Sequence, residues 1–465
     1  MILPPEVEDL VASMMRRIEA LEAENAELRR RLDLDSSNSS KPPSSDGLKK
    51  KPRILSSLRK RSGKPSGGQK GHRGDTLRQV AEPDLIVEHA AERCAHCQAQ
   101  LLADSRIGEE KRQVFDLPEK PLIVTEHRAA IHDCPACGQR TRADFPEGVV
   151  SPAQYGERIK AAAVYLNAQQ LVPEERVAQV LQELFDAAAA CGASVAGWVR
   201  RKAEALEPVY RAIGECVAAA PVRCLDETGL RIAGATRWLH TASTSTYTFY
   251  RADEPRSAVL ACEGGVVIHD HWRAYYGLEN VGHAFCNAHL LRELQAVCEF
   301  DKEPWAEVMR ATLLDANEAV RNAKAQGAAS LAPETIKGFE DRYWAAVREG
   351  LGLHRSLPAF DPSTSSKKRK KQRPAHNLLI RFKTFKEATL RFLTDFTVPF
   401  TNNLAEQDLR MMKVKTKISG GFRTPKGAVD FARLRSVISS ARKQGLNILE
   451  ALTLTPERLA VALKL

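Results

Sequence analysis

Three runs of residues decide how the chain reads: VRCLDETGLRIAG (222–234), RWLHTASTSTYTFYRADE (237–254) and GGVVIHDHWRAYYG (264–277). The first is an apolar, β-branched run that delivers Asp226 at its end. Strand-like runs follow at Trp238–Ser243 and Tyr247–Arg251, and then an interval of helix length. A short buried strand, Val266–His269, delivers Asp270. Acids at the ends of neighbouring strands converge, because a sheet ends along one edge and ligands gather there. Two converging carboxylates repel unless a cation lies between them. Oxygen donors of this kind suit magnesium or manganese better than zinc. Glu227 points to the opposite face wherever the strand continues.

A third acid lies far along the chain, in VPFTNNLAEQDLR (398–410). Asn402 or Asn403 caps a helix, and Glu406 falls in its first turn, where the macrodipole favours a carboxylate. Asp395 and Asp408 are weaker candidates for this role. Between Asp270 and Glu406 lie 135 residues (406 − 270 − 1). That is too many for a connection, so a helical subdomain is inserted there. Residues 295–395 read as long charged helices, interrupted at Ser363–Arg373 by a basic loop over a nucleic-acid groove. Arg410, Lys413, Lys415 and Lys417 form a basic trail, Gly420–Arg423 a turn, and Val429–Leu452 a closing amphipathic helix.

The chain has 465 residues, a formal charge of +11 and a pI near 9.1. This length implies several domains, and the charge points to a polyanion, most simply DNA. No secretory h-region and no run of membrane-spanning length is read in it. The ten cysteines are therefore expected to be reduced thiols in a cytoplasmic protein.

Ahead of these acids, Val7, Val11, Met14, Ile18, Leu21, Asn25, Leu28 and Leu32 alternate spacings of four and three, a heptad seam. Asn25 at an a position sets a two-stranded register, so residues 1–34 are expected to self-associate. Residues 35–80 are rich in Ser, Pro, Gly, Lys and Arg and form a basic linker, with Lys70, His72 and Arg73 as phosphate contacts. Cys94-x-x-Cys97 and Cys134-x-x-Cys137 are spaced for a structural zinc ribbon within 81–150, with His96, His127 or His132 able to replace a thiolate. Gln113–Leu117 and Leu122–His127 are its expected strands. In 151–215, helices over Val172–Phe185 and Ser194–Glu204 flank a break at Cys191-Gly192. They suggest a helix-turn-helix presenting Arg200, Arg201 and Lys202 to DNA. Cys286-x-x-His289 reads as a packed strand-to-helix junction, although the pair is also suited to a metal.

The succession SSNSSKPPSSD, GGQKGHRG, two CxxC knuckles, LDETG, RWLH, CNAHLLREL, TNNLAEQDLR and ISGGFRT resembles the insertion-sequence transposases of the IS-sixty-six family. The resemblance runs over nearly the whole chain. It implies a multidomain α/β protein with a ribonuclease-H-like core in two parts, 216–294 and 396–445, split by the insertion at 295–395 and followed by a helical tail at 446–465. It also implies a catalytic triad of Asp226, Asp270 and Glu406 holding Mg2+ or Mn2+, and structural Zn2+ on Cys94, Cys97, Cys134 and Cys137. The expected activity is cutting element ends and joining 3′-hydroxyls to target DNA. The expected partners are terminal repeats and target DNA, a second copy of the chain and small accessory proteins of the same element, with no membrane. Arg423 joins the expected DNA contacts. A catalytically silent DNA-binding regulator and a structure-specific nuclease are the alternatives. The family usually places a small residue after the second Asp, where this chain has His271-Trp272.

Overall fold

The computed structural model describes residues 5–35, 38–39, 77–89, 91–101, 106–118, 121–257, 260, 262, 264–357 and 372–465. Most of the basic linker, including Lys70, His72 and Arg73, and nearly all of the 363–373 loop lie outside the described residues.

The N-terminal helix α1 (Pro5–Asp33) exposes its seam residues Val7, Val11, Met14, Ile18, Leu21, Leu28 and Leu32. Its C-terminal end is pinned by Arg30, which donates to Asp301 Oδ2 at 3.1 Å. The cysteine-bearing segment holds one antiparallel hairpin, β1 (Ile131–Asp133) and β2 (Arg140–Arg142). The strands expected at Gln113–Leu117 and Leu122–His127 do not form. Val114, Leu117, Ile123 and Val124 are exposed, so no packed sheet face rewards pairing there.

A helical unit follows: α2 (Glu157–Val164), extended by a wide turn over Tyr165–Gln169, then α3 (Glu174–Phe185), α4 (Gly192–Ala205) and α5 (Glu207–Ala218). The break lies earlier than the sequence implied. The helix α3 stops at Asp186, which adopts φ 55°, and Cys191-Gly192 starts α4 rather than interrupting it. The Glu175 carboxylate packs over Gly192, where it would have to swing aside for any larger side chain.

The central sheet has β3 (Val222–Ile232), β4 (Ala235–Ser243), β5 (Thr248–Glu254), β6 (Val266–His269) and β7 (Gly282–Phe285) in the order β5-β4-β3-β6-β7. β3, β4 and β5 pair antiparallel, while β6 and β7 run parallel to β3. The β3–β4 hairpin closes on Ala233-Gly234, both at positive φ (48° and 79°), the two-residue turn that matches strand twist. This tight turn makes β3 longer than expected. Asp226 lies within the strand, opposite Thr241, and not at its end. The interval before β6 contains no helix among its described residues and turns into the strand through Gly264-Gly265.

Side chains alternate across β3 and β6 and bury both faces. Cys224 and Ile268 pack into the cluster built with α6 (Asn287–Ala296), α7 (Pro304–Ala325), α8 (Pro333–Ser356), α9 (Pro374–Thr384) and α10 (Lys386–Thr394). Leu225 and Val267 face the other way, towards α5, α12 (Pro425–Lys443) and α13 (Ile448–Thr453). The stretch expected to be a helical insertion holds α7–α10 among its described residues. The closing helix is two helices, separated at Gly445 (φ 75°) and restarted by Asn447, whose Oδ1 accepts from Glu450 N. A last short helix, α14 (Pro456–Ala462), ends the chain. No described helix is long and apolar enough to cross a membrane.

A carboxylate cluster on the central sheet

The parallel pairing of β3 with β6 sets Val222 against Val266 and Cys224 against Ile268, an offset of 44 residues. The same offset separates Asp226 from Asp270. Both carboxyl groups therefore share the face of Cys224 and Ile268, with Asp270 one residue beyond β6.

Glu406 reaches this face on α11 (Asn403–Ser419). Leu409 and Met412 of α11 pack on Leu230, Ile232 and Leu239 of the hairpin. Asn402 occupies the N-cap position, but its side chain does not cap. Its Nδ2 donates to Leu225 O of β3 at 2.7 Å, tying the start of the helix to the strand that carries Asp226. At the far end, Gly421 (φ 153°) brings the turn so close to β3 that a Cβ would lie 2.3 Å from Arg231 O, and Phe422 N donates to that oxygen at 2.8 Å.

The three acids act on one another electrostatically. Burial, then the charges of Glu227, Asp270 and Glu406, push Asp226 well above the usual carboxylate range. Burial and Glu227 raise Asp270 to about 6, with Glu406 adding to the shift, although Asp270 Oδ1 accepts from Trp272 N at 2.9 Å. Partly buried carboxylates that raise one another in this way are relieved by a divalent cation, and their all-oxygen donor set fits magnesium or manganese. The other two candidates are occupied elsewhere. Asp408 Oδ2 accepts from Ser243 Oγ (2.6 Å), Thr248 Oγ1 (2.8 Å) and Lys443 Nζ (2.9 Å), and Asp395 accepts from Thr397 in an exposed turn.

Glu227 does turn to the opposite face, and there it meets partners that the sequence did not reveal. Arg256 donates to Glu227 Oε1 through Nε (3.1 Å) and an Nη (3.0 Å), and Tyr275 OH donates to Oε2. The guanidinium lies 3.6 Å from the ring centre of Trp272 and 4.7 Å from that of Trp238. Trp272 follows the second Asp by two residues and His271 by one. His271 packs on Phe285, Phe385 and Tyr276, and burial followed by the Arg381 charge lowers it to about 3. The bulky pair after Asp270 thus braces the loop from both sides. A cavity of about 270 Å³ opens beside it, lined by His269–Trp272, Phe285, Cys286, His289, Leu290, Glu293 and Arg381.

Among the expected DNA contacts, Arg200, Arg201, Arg410, Lys413 and Arg423 are exposed. Two are not. Lys415 is 7% exposed, its ammonium 5.8 Å from the Phe422 ring centre, and burial lowers its pKa. Lys202 turns inward to donate to Leu454 O at 3.1 Å.

The two CxxC segments form matching turns. Gln98 N donates to Cys94 O and Gly138 N to Cys134 O, at 2.9 and 2.8 Å. Hydrogen bonds from the backbones of Cys97 and His96 lower the Cys94 thiol, and those from Cys137 and Ala136 lower Cys134. N–H groups aimed at sulfur are what a zinc-bound thiolate requires, so each knuckle fits the metal. The two knuckles are not drawn into one group. Among the described residues, three potential ligands with donor atoms within 4.8 Å of one another meet elsewhere, at Cys286, His289 and Glu406.

Comparison with known families gives three matches. Residues 152–430 match the model described as Transposase IS66 family. Residues 91–138 match the zinc-finger binding domain of transposase IS66. Residues 3–78 match a family of unknown function, DUF6444. No curated protein matches the chain.

Proposed function

The chain belongs to the IS66 family of transposases, and from that premise we propose that it cuts the ends of an insertion sequence and joins their 3′-hydroxyls to target DNA. The observation that carries this reading is the shared 44-residue offset of Asp226 and Asp270, with Glu406 held to the same strand through Asn402. The sheet order, three antiparallel strands followed by two parallel ones, supports a ribonuclease-H-like core.

Asp226, Asp270 and Glu406 would hold the divalent ions. When bound, these ions supply the charge that eases deprotonation of a water or 3′-hydroxyl and steadies the leaving oxygen. The chain's own residues position. Asp226 and Asp270 present carboxylates from adjacent strands, and Glu406 closes the site from a helix N-terminus. Arg256 and Tyr275 hold the Glu227 charge on the reverse face of β3. Exposed Arg200, Arg201, Arg410, Lys413 and Arg423 are available to phosphates. The zinc finger adds DNA-binding surface, and the exposed seam of α1 is suited to pairing two copies so that both element ends meet in one assembly.

The test is cleavage and strand transfer by the purified full chain on element-end DNA with magnesium. Asp226→Ala, Asp270→Ala and Glu406→Ala should each abolish cleavage and leave DNA binding intact. Undiminished cleavage by Asp270→Ala would remove it from the mechanism. Cleavage without joining would make the protein a nuclease.

A further inference from the structure

Cys286 and His289 have no part in the chemistry above, yet both sit against its third acid. Cys286 is the first residue after β7 and the N-cap of α6, and His289 lies in the first turn of that helix. Both helix starts, α6 and α11, bring their side chains to one point. Cys286 Sγ lies 3.7 Å from Glu406 Oε1, and His289 Nδ1 lies 3.9 Å from the same oxygen. All three donor atoms fall within 4.8 Å of one another. His289 Nδ1 is buried with no hydrogen-bond partner, an unusual state for an imidazole nitrogen beside a carboxylate. Asn402 N donates to Cys286 Sγ at 3.2 Å, while burial and then the Glu406 charge push the thiol up to about 12, so the sulfur keeps its proton until a metal displaces it.

We propose that Cys286, His289 and Glu406 form a second transition-metal site that takes a zinc-class ion and withdraws Glu406 from the carboxylate cluster. The donor chemistry decides the ion. A thiolate, an imidazole and a carboxylate select zinc over magnesium, whereas Asp226, Asp270 and Glu406 offer oxygen alone. Tetrahedral zinc with bonds of about 2.0–2.3 Å places its ligand atoms roughly 3.3–3.8 Å apart, so the two separations to Glu406 Oε1, 3.7 and 3.9 Å, need shifts of only tenths of an ångström, and the sulfur and imidazole, within 4.8 Å, close by about one ångström at most. On binding, the Cys286 thiol loses its proton to solvent as the sulfur–metal bond forms, and a water completes the fourth position. Zinc held through Oε1 fixes the Glu406 carboxylate towards Cys286 and His289 and competes with the carboxylate cluster for it, so zinc acts as an inhibitor of the magnesium-dependent reaction. This last clause rests on the catalytic role proposed for Glu406; the binding does not.

Native mass spectrometry of the full chain at fixed free zinc counts the ions. The wild type should hold two per chain, and Cys286→Ser and His289→Gln one each, retained by the zinc finger. With the finger zinc-loaded, added Co2+ should give a thiolate-to-cobalt charge-transfer absorption that Cys286→Ser abolishes. If Cys286→Ser does not fold, His289→Gln carries the count. One zinc per wild-type chain, or the same number in wild type and His289→Gln, overturns the site. Zinc should also suppress magnesium-dependent cleavage, at a concentration at least tenfold higher in His289→Gln than in the wild type. Equal inhibition of the two overturns the switch. Absence of cleavage in every protein would count against the catalytic reading alone, since the metal count still judges the site.

Discussion

Replacing Asp270 by Asn should make the metal-free protein more stable while removing its activity. In the folded chain Asp270 is raised from its ordinary value of 3.8 to about 6, by burial first and by the Glu227 charge second. Between those two pH values the folded state keeps a proton that the unfolded chain has lost, so stability falls as pH rises through this window. Above about pH 6 the full penalty is present. At 1.36 kcal/mol per pH unit it amounts to about 3 kcal/mol. Asn keeps the oxygen that accepts from Trp272 N and carries no charge. Because Asp226 shares in the same repulsion, a gain of roughly 1–3 kcal/mol at pH 7.5 is expected, or about 2–6 °C in melting temperature. By linkage the gain should shrink to about a third at pH 4.5 and vanish near pH 3. The assay is thermal melting of both proteins without magnesium across that pH range, wild type and variant being compared at each pH so that acid release of the finger zinc is common to both. Added magnesium should then raise the wild type more than the variant. An Asn variant that melts at or below the wild type at pH 7.5, or a difference that ignores pH, would refute the electrostatic account of the cluster.

Two further predictions test what holds the cluster in place. Asp408→Ala removes the acceptor shared by Ser243, Thr248 and Lys443 and should cost about 3 kcal/mol in urea unfolding, whereas loss of metal affinity without loss of stability would return Asp408 to the list of candidate acids. Gly421→Ala forces a Cβ against Arg231 O and should cost at least about 2 kcal/mol, together with reduced cleavage as α11 is pushed off β3; an unaffected melting temperature would show that this turn relaxes freely.

The strand that delivers Asp270 was readable because Val266–His269 is a short apolar run between glycines and a charged loop, the signature of a strand buried on both faces. The place of Asp226 within its strand was not, because Thr228 and Gly229 resemble a strand end until the Ala233-Gly234 turn is recognised as the hairpin. Asn402 was read as a cap, its commonest use, and only the approach of β3 shows that Leu225 O claims its amide. The same limit hid Lys415: a basic trail along a helix gives no sign of which member faces Phe422 and Phe431. Arg256 escaped notice because its value depends on Glu227, Trp238 and Trp272, which meet only in the folded sheet.

The two fastenings of α11, the amide of Asn402 at one end and Gly421 at the other, both land on β3. The long excursion through α7–α10 leaves β7 and comes back beside it, where Asn287 N donates to Phe400 O at 3.1 Å. Its entry and exit are therefore neighbours, like the two posts of a gate. What hangs between those posts also roofs one face of the sheet, so any trimming or exchange, by descent or by design, must keep the apolar side that covers Cys224 and Ile268.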